Sequence, residues 1–341
     1  MKNLKLFVAG ALLLLGTAAV QGQGFHLIKK TVIGGEGGWD YLSVDADARR
    51  LYISHGSQVE VLNADTHEKI GVIPNLKGVH GVIAVPGTGR GVTTNGRSNS
   101  ATIFDKKTLK PIAELPTGKN PDALIYDPFS KRVFVFNHSD TTATAIDVAA
   151  GKVVGIVHIG GEGLEAGASD GKGNIYVNLE DASEIAMFDA VSLKLKNKWK
   201  IAPCEEPTGL GIDTQTKRLF SACGNELMAV VDSESGKLIA KVPTGKHTDG
   251  AAFDPDLKMA FTSNGEGTIT VIKEVSANEY KVIETIKTEP GARTIALDTK
   301  THHVFVTTAQ YGEAPAATAQ NPHPRPKVIP GTFMVLEYGM K

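Results

Sequence analysis

Residues 127–137 read Asp-Pro-Phe-Ser-Lys-Arg-Val-Phe-Val-Phe-Asn, and this stretch decides the fold because the chain repeats its pattern. The pattern begins with an aspartate, passes through a polar turn and a basic residue, and enters a run of β-branched and aromatic residues. Such a run, bounded by turn residues, is typical of a buried β-strand. Six further copies begin at Asp45, Val85, Asp170, Asp213, Asp254 and Asp298.

The copies recur with a period of about 40 to 45 residues, which is the length of a four-stranded propeller blade. Each copy leads into an alternating strand, a turn such as Asp-Ser-Glu-Ser-Gly-Lys at 232–237, and one more strand. No segment shows a helical period of useful length, so an all-β protein is predicted. Seven repeats of four short strands predict a seven-bladed β-propeller.

The two ends of the repeat array complement each other. The seventh unit, which starts at Asp298, supplies three strands, whereas residues 25–35 (FHLIKKTVIGG) resemble a fourth strand with its exit turn. We predict that this N-terminal strand completes the last blade and closes the ring, which pairs the two ends of the chain. Residues 23–341 are therefore predicted to form a single propeller domain.

Composition excludes several classes of protein. The chain has 36 Lys and Arg against 37 Asp and Glu, a net charge of -1, and 41% hydrophobic residues. It can therefore bury a core, and it offers no electrostatic reason to expect nucleic acid as a partner. Its two cysteines are too few for a disulfide scaffold or a four-cysteine zinc site.

The first 22 residues have the layout of a secretory signal peptide. Two lysines, Lys2 and Lys5, precede an apolar run at 6–15 and a stretch of small residues at 16–22. This run is too short for a good membrane span, which needs about 20 residues. We therefore predict a periplasmic or secreted monomer without a stable membrane span.

The repeats resemble the YVTN repeats of secreted bacterial YncE-like proteins. The closest matches are Arg-Val-Phe-Val-Phe-Asn at 132–137 and Asn-Ile-Tyr-Val-Asn at 174–178. The resemblance covers essentially the whole exported chain and implies a seven-bladed propeller. It does not imply one function, because propellers of this kind resemble lactonases, lyases, amine dehydrogenase subunits and surface-layer proteins.

The residues at the mouth of the channel follow from the repeat. In a propeller blade the first strand lines the channel, so its entry loop and the loop after the second strand open on one face, where functional residues are expected. Counting back five residues from each anchor gives seven polar residues: Asp40, His80, Asp122, Glu165, Thr208, Asp249 and Arg293.

This ring contains two arcs with different chemistry. His80, Asp122 and Glu165 come from consecutive blades, and an imidazole beside two carboxylates suggests a divalent metal ion or acid-base catalysis. Arg293 falls between Asp249 and Asp40, so it either joins a salt-bridge network or holds an anionic substrate. In an alternative interpretation, these polar residues only cap strand ends and satisfy loop backbone groups.

Further ligand-binding candidates surround the ring. They are Trp39, Asp40, Tyr41, His55, Asn137, His138, Glu206, Thr208, His247 and Asp249. Trp39 and Tyr41 flank Asp40 and would provide a stacking wall for a ligand, although Trp39 is equally compatible with packing against a neighbouring blade.

Two other features bear on the mouth. Export to an oxidising compartment favours a disulfide between Cys204 and Cys223, which would stabilise the fold by roughly 3 kcal/mol in the chain-entropy model. Residues 310–330 form a proline-rich insertion in the last blade and are predicted to be a lid over the mouth.

We therefore expect an exported propeller whose mouth binds a small polar ligand, a metal ion or a protein partner. The alternative is a metal-dependent enzyme of the lactonase or lyase kind, with His80, Asp122, Glu165 and Arg293 as its catalytic residues. The sequence leaves the cofactor open, and the candidate is a divalent metal ion. The sequence does not identify the substrate.

Overall fold

The computed structural model describes residues 24–316, 324 and 326–340. The predicted signal peptide, residues 1–22, lies outside the described residues, as does part of the predicted lid. Among the described residues, no helix has the length and apolar character needed to cross a membrane.

The described chain forms 28 strands in seven four-stranded sheets, and a single 3-10 turn follows β7 at Gly96–Ser98. The N-terminal strand is β1 (Phe25–Val32). Blade 1 consists of β2 (Trp39–Asp45), β3 (Arg50–His55), β4 (Gln58–Asn63) and β5 (Lys69–Ile73). Blade 2 consists of β6 (Val79–Ala84), β7 (Arg90–Asn95), β8 (Ser100–Asp105) and β9 (Pro111–Pro116). Blade 3 consists of β10 (Pro121–Asp127), β11 (Arg132–Asn137), β12 (Thr142–Asp147) and β13 (Lys152–His158).

The remaining blades repeat this order. Blade 4 consists of β14 (Leu164–Ser169), β15 (Asn174–Leu179), β16 (Glu184–Asp189) and β17 (Leu195–Lys200). Blade 5 consists of β18 (Pro207–Asp213), β19 (Arg218–Cys223), β20 (Leu227–Asp232) and β21 (Leu238–Pro243). Blade 6 consists of β22 (Thr248–Asp254), β23 (Met259–Asn264), β24 (Thr268–Ser276) and β25 (Glu279–Lys287). Blade 7 contributes β26 (Arg293–Asp298), β27 (His303–Thr308) and β28 (Met334–Met340).

The N-terminal strand closes the ring as predicted. Blade 7 has the order β26-β27-β28-β1, and β1 runs antiparallel to β28, with Phe25 opposite Met340 and Val32 opposite Met334. The first and last strands of the chain thus share one sheet. This confirms the seven-bladed, all-β fold with N-terminal closure.

The core lies between adjacent blades. In β11 all residues after Arg132 are buried, because this second strand is covered by a blade on each face. Phe134 packs edge-on against Phe188 of the next blade, with ring centroids 5.3 Å apart. The outermost strands, such as β9, are mostly exposed. The continuous burial of β11 therefore matches the hydrophobic run of the repeat motif, whereas the outermost strand faces solvent.

The basic residue of the repeat joins one blade to the next. The Arg132 guanidinium Nη1 donates to the carbonyl oxygens of Ala190 (2.8 Å) and Val191 (3.0 Å) in blade 4. Arg90 Nη1 makes the equivalent bonds from blade 2 to Val148 and Ala149 in blade 3. These charge-assisted hydrogen bonds satisfy turn carbonyls that would otherwise have only solvent as a partner.

An aspartate begins six of the seven repeats, and in blades 3 and 7 it has a structural role. Asp127 is fully buried, and its carboxylate accepts from the Ser130 backbone N–H (2.7 Å) and from the Ser169 hydroxyl of blade 4 (2.6 Å). In blade 7 the buried Asp298 pairs with Arg49 of blade 1 at 2.7 Å. Each of these aspartates therefore caps its own turn and contacts the following blade.

The predicted disulfide is present. The Cys204 and Cys223 sulfur atoms are 2.04 Å apart, and both residues are buried. The bond ties the loop that leads into β18 to the end of β19, and this loop carries Glu206 to the mouth.

Candidate functional site

Seven polar residues surround one end of the channel, which we call the mouth. Six of them are the second residue of an innermost strand, and Arg293 is the first residue of β26. The six are Asp40, His80, Asp122, Glu165, Thr208 and Asp249. The repeat period places them at equivalent points of their blades, because the innermost strands all begin at the same end of the channel.

The residues predicted to bind a metal ion fall into two groups of donor atoms. In the first group, His80 Nδ1 lies 2.7 Å from Asp40 Oδ2 and 3.3 Å from Asp122 Oδ1. In the second, His138 Nδ1 lies 3.0 Å from Glu165 Oε1, and Asp122 is again the third member. Within each group the donor atoms lie within 4.8 Å of one another. The predicted set of His80, Asp122 and Glu165 is thus divided, with Asp122 common to both groups.

Asp122 is a buried carboxylate of the mouth. Only 9% of the residue is exposed, and its Oδ1 atom lies 3.3 Å from His80 Nδ1 but makes no well-directed hydrogen bond with any of the described residues. Burial raises the pKa of Asp122 well above its usual range, and the nearby charges of Asp40, Glu165 and Asp249 raise it further. A carboxylate in this position gains from a proton or a cation, since either one offsets the desolvation and the repulsion.

Tyr41 lies across the channel inside the ring. Its hydroxyl, which belongs to blade 1, donates to Glu165 Oε2 of blade 4 at 3.1 Å. Burial is the main cause that raises the pKa of Tyr41 well above its usual range, and the surrounding carboxylates add to it. The phenol therefore stays protonated and holds the Glu165 carboxylate in place. A cavity of about 180 Å³, lined by Tyr41 and small or aliphatic residues of the innermost strands, adjoins it.

The second arc of the ring contains an ion pair. Arg293 Nη1 lies 3.2 Å from Asp249 Oδ2, and the Arg293 side chain remains 47% exposed. Burial raises the pKa of Asp249 to about 6, Arg293 opposes this rise, and Asp40 and Glu165 add to it. This carboxyl therefore changes its charge close to neutral pH.

A pocket of about 910 Å³ opens beside this arc. Five of the predicted binding residues line it: Trp39, Glu206, Thr208, His247 and Asp249. Tyr311, Pro326 and Val328 of the predicted lid also line the pocket, and Tyr311 and Val328 form an isolated β-bridge. The described part of the insertion therefore borders the mouth, whereas residues 317–323 and 325 lie outside the described chain.

Two predicted binding residues are packed between blades. Trp39 is 8% exposed and stacks on Phe333 with ring centroids 5.2 Å apart. His55 is 3% exposed, and its ring centroid lies 4.3 Å from that of Phe333. Trp39 therefore packs against Phe333 while it lines the pocket, and His55 contacts neighbouring protein atoms.

Asn137 belongs to the architecture of the turn. Its buried amide donates to the hydroxyls of Thr142 (3.0 Å) and Thr144 (3.2 Å) on the next strand of the same blade. The same arrangement recurs in blade 6, where the Asn264 amide donates to two threonine hydroxyls. The asparagine that ends this repeat motif thus has a structural explanation in both blades.

Several polar residues of the mouth were not singled out by sequence reasoning. Glu180 lines the larger pocket, and its pKa is raised by burial and then by Glu165. It directly follows β15, and this position after a second strand is the signal that identified His138 after β11. A second pocket is lined by Glu36 and Lys77, which come from loops without a repeated pattern, and by Arg97, which follows the second strand β7 as His138 follows β11.

Comparison with known proteins supports the fold. No family model matches the sequence, and no curated protein matches it. A chain of the Kuenenia stuttgartiensis hydrazine synthase structure is similar with a TM-score of 0.69 and 15% identity, covering 84% of this chain and 95% of that one. A chain in a crystal structure of a mitotic checkpoint complex has a TM-score of 0.75 and 12% identity, covering 100% and 98%. At such identities the likeness establishes the fold alone.

Proposed function

We propose that this chain is an exported, monomeric YncE-like propeller of the YVTN-repeat kind that binds a divalent cation at its mouth. The cation in turn binds a small polar ligand. The observation that carries the proposal is Asp122, whose buried Oδ1 atom makes no well-directed hydrogen bond with any of the described residues and which belongs to both groups of donor atoms. A bound cation would satisfy this atom and relieve the repulsion between the carboxylates of the mouth.

The donor atoms narrow the choice of metal. Each group offers one imidazole nitrogen and two carboxylate oxygens. This mixture is typical of Zn²⁺ and other first-row divalent ions, whereas Mg²⁺ and Ca²⁺ prefer oxygen alone. Three protein ligands leave coordination positions for oxygen atoms of a polar ligand. The candidate metal residues are therefore Asp122 with Asp40 and His80, or Asp122 with His138 and Glu165.

Export is supported by two independent features. Residues 1–22 have the layout of a signal peptide, and the Cys204–Cys223 disulfide suits an oxidising compartment. A periplasmic or secreted location would also give the protein access to metal ions and small metabolites outside the cytoplasm.

Titration calorimetry with Zn²⁺ and Mn²⁺ tests the proposal. Asp122→Asn keeps the shape of the side chain and removes its charge, and we expect it to weaken cation affinity by at least about 10-fold. Asp47→Asn is the matched control, since Asp47 is exposed in the turn after β2, at the other end of the blade. Equal affinities of the two variants and the wild type would contradict the proposal.

A second candidate function is a metal-dependent lactonase or lyase that uses the same mouth. The observation in its favour is Asp249, whose pKa of about 6 suits a general base near neutral pH and whose partner Arg293 could hold a substrate carboxylate. A screen of lactones with the Zn²⁺-loaded protein tests it. Turnover that survives in Asp249→Asn would remove this residue from the mechanism.

A further inference from the structure

A pocket of about 630 Å³ opens between the beginnings of blades 1 and 2, beside the mouth. Its charged lining consists of three basic and two acidic side chains, namely Lys77, Arg97, Arg293, Glu36 and Asp40. Its apolar lining includes Trp39, Leu76 and Val79. A volume of this size is within the range of small-molecule sites, which span about 300 to 1,000 Å³.

Arg97 differs from the other described arginines in the hydrogen bonding of its side chain. The six others in the described chain each donate at least one hydrogen bond to a protein group; they are Arg49, Arg50, Arg90, Arg132, Arg218 and Arg293. No hydrogen bond or ion pair of the described residues involves the Arg97 side chain, which is exposed on the pocket wall. Its guanidinium donors are therefore available to a ligand.

The backbone fixes the position of Arg97. The residue lies in the 3-10 turn after β7, where its N–H donates to the Lys77 carbonyl (3.1 Å) and the Gly96 N–H donates to the Gly78 carbonyl (2.8 Å). Gly78 has φ +67, and a Cβ atom there would lie 2.7 Å from Arg97 Cγ. A glycine at this point thus leaves room for the arginine stem along the pocket wall.

We propose that this pocket binds a small organic carboxylate through Arg97, with Arg293 and Lys77 completing a basic wall. A guanidinium forms paired hydrogen bonds with a carboxylate, and the apolar residues provide a surface for the hydrocarbon part of the ligand.

The charges of the pocket favour a carboxylate over a phosphate. Arg293 is already paired with Asp249, and Lys77 and Arg97 are balanced by Glu36 and Asp40, so the lining has no excess positive charge to offset a doubly charged ligand. A carboxylate carries one charge at neutral pH, whereas a phosphate group carries about 1.5 to 2. Glu36 and Asp40 would repel the second charge.

A carboxylate in this pocket adds a ligand class to the proposed function. It rests on the proposed function only in the claim that this carboxylate is the polar ligand bound by the cation of the mouth. Asp40 and His80 line the pocket and also belong to the first group of metal donors. A carboxylate held by Arg97 would therefore lie beside a cation bound at Asp122. The pocket itself needs no cation, because its basic wall is made by the protein.

Acetate and benzoate are suitable probes, with benzamide as a neutral analogue of benzoate. Binding is measured by NMR titration on full-length mature protein freed of divalent cations on a chelating resin. We expect at least one carboxylate to bind more tightly than benzamide. Arg97→Gln should weaken that binding by about 10-fold or more, because two charge-assisted hydrogen bonds are lost.

Lys241→Gln is the matched control, since it removes the same charge from an exposed position of β21 and should leave affinity unchanged. Three results would overturn the inference: no carboxylate binds better than benzamide, inorganic phosphate binds as tightly as the best carboxylate, or Arg97→Gln retains full affinity. Because these titrations contain no divalent cation, their outcome is independent of whether the proposed metal site fails.

Discussion

Asp249 is the mouth residue whose charge should change closest to neutral pH. Its pKa is raised to about 6, mainly by burial. Because Arg293 opposes this rise and Asp40 adds to it, we expect Arg293→Gln to raise the Asp249 titration midpoint and Asp40→Asn to lower it, each by about one unit. NMR of aspartate-selectively ¹³C-labelled protein measures the midpoint directly, and an ordinary midpoint near 4 would contradict this account.

The same residue has a predictable effect on stability. The pKa of Asp249 in the folded state is about 6, and the unfolded chain has the ordinary value of about 4, so the folded state binds more protons between these values. Its contribution to stability is present below pH 4 and is lost as the pH rises through 6. Cation binding should strengthen over the same range, because protons and cations compete for the mouth carboxylates.

The position of each ring residue was predictable, but its partners were not. The strict period of the repeat located Asp122 and Glu165 at equivalent points of consecutive blades. The two groups of donor atoms depend instead on side-chain directions across the channel, including Tyr41, which reaches Glu165 from a blade on the other side. Such contacts join residues that are far apart in sequence, so no local sequence pattern predicts them.

The hydrogen bonds between blades lead to a prediction about the stability of the fold. Arg132→Gln removes the two bonds from β11 to the turn carbonyls of Ala190 and Val191. We expect the free energy of unfolding in urea to fall by about 1 to 3 kcal/mol, the usual value for hydrogen bonds to a charged group.

Lys131→Gln is the control for this variant, because the neighbouring Lys131 is exposed and its side chain makes no hydrogen bond or ion pair within the described chain. Equal stabilities of the two variants would show that the bonds between blades contribute nothing measurable. The sequence pattern placed a basic or polar residue at this point of the repeat, and it is arginine in four of the seven copies. It could not predict the carbonyl acceptors, because they belong to the next blade.

The fold as a whole was predictable because one pattern recurs seven times and both chain ends are incomplete blades. β1 pairs with β28 along its length, so the strand missing from the last blade is supplied from the other end of the chain. The packing of Trp39 and His55 was not predictable in this way. Both contact Phe333, which follows the insertion in the last blade and has no counterpart in the repeat.

The net charge of the whole molecule is only -1, but its charged side chains are unevenly distributed. Four carboxylates of the mouth ring, Asp40, Asp122, Glu165 and Asp249, share one end of the channel with a single arginine, Arg293. Burial and repulsion raise the pKa of two of them, Asp122 and Asp249. A divalent cation offsets both effects, which is why a metal ion is central to the proposed function.

Elemental analysis of the protein, purified without chelators, is the decisive test for the proposed cation. We expect about one divalent cation per chain, its removal by EDTA, and a lower melting temperature of the stripped protein, since a ligand that binds only the folded state stabilises it. Restoration of the melting temperature by Zn²⁺ or Mn²⁺ would complete the expected result. A protein that carries no cation and melts at the same temperature with and without EDTA would contradict it.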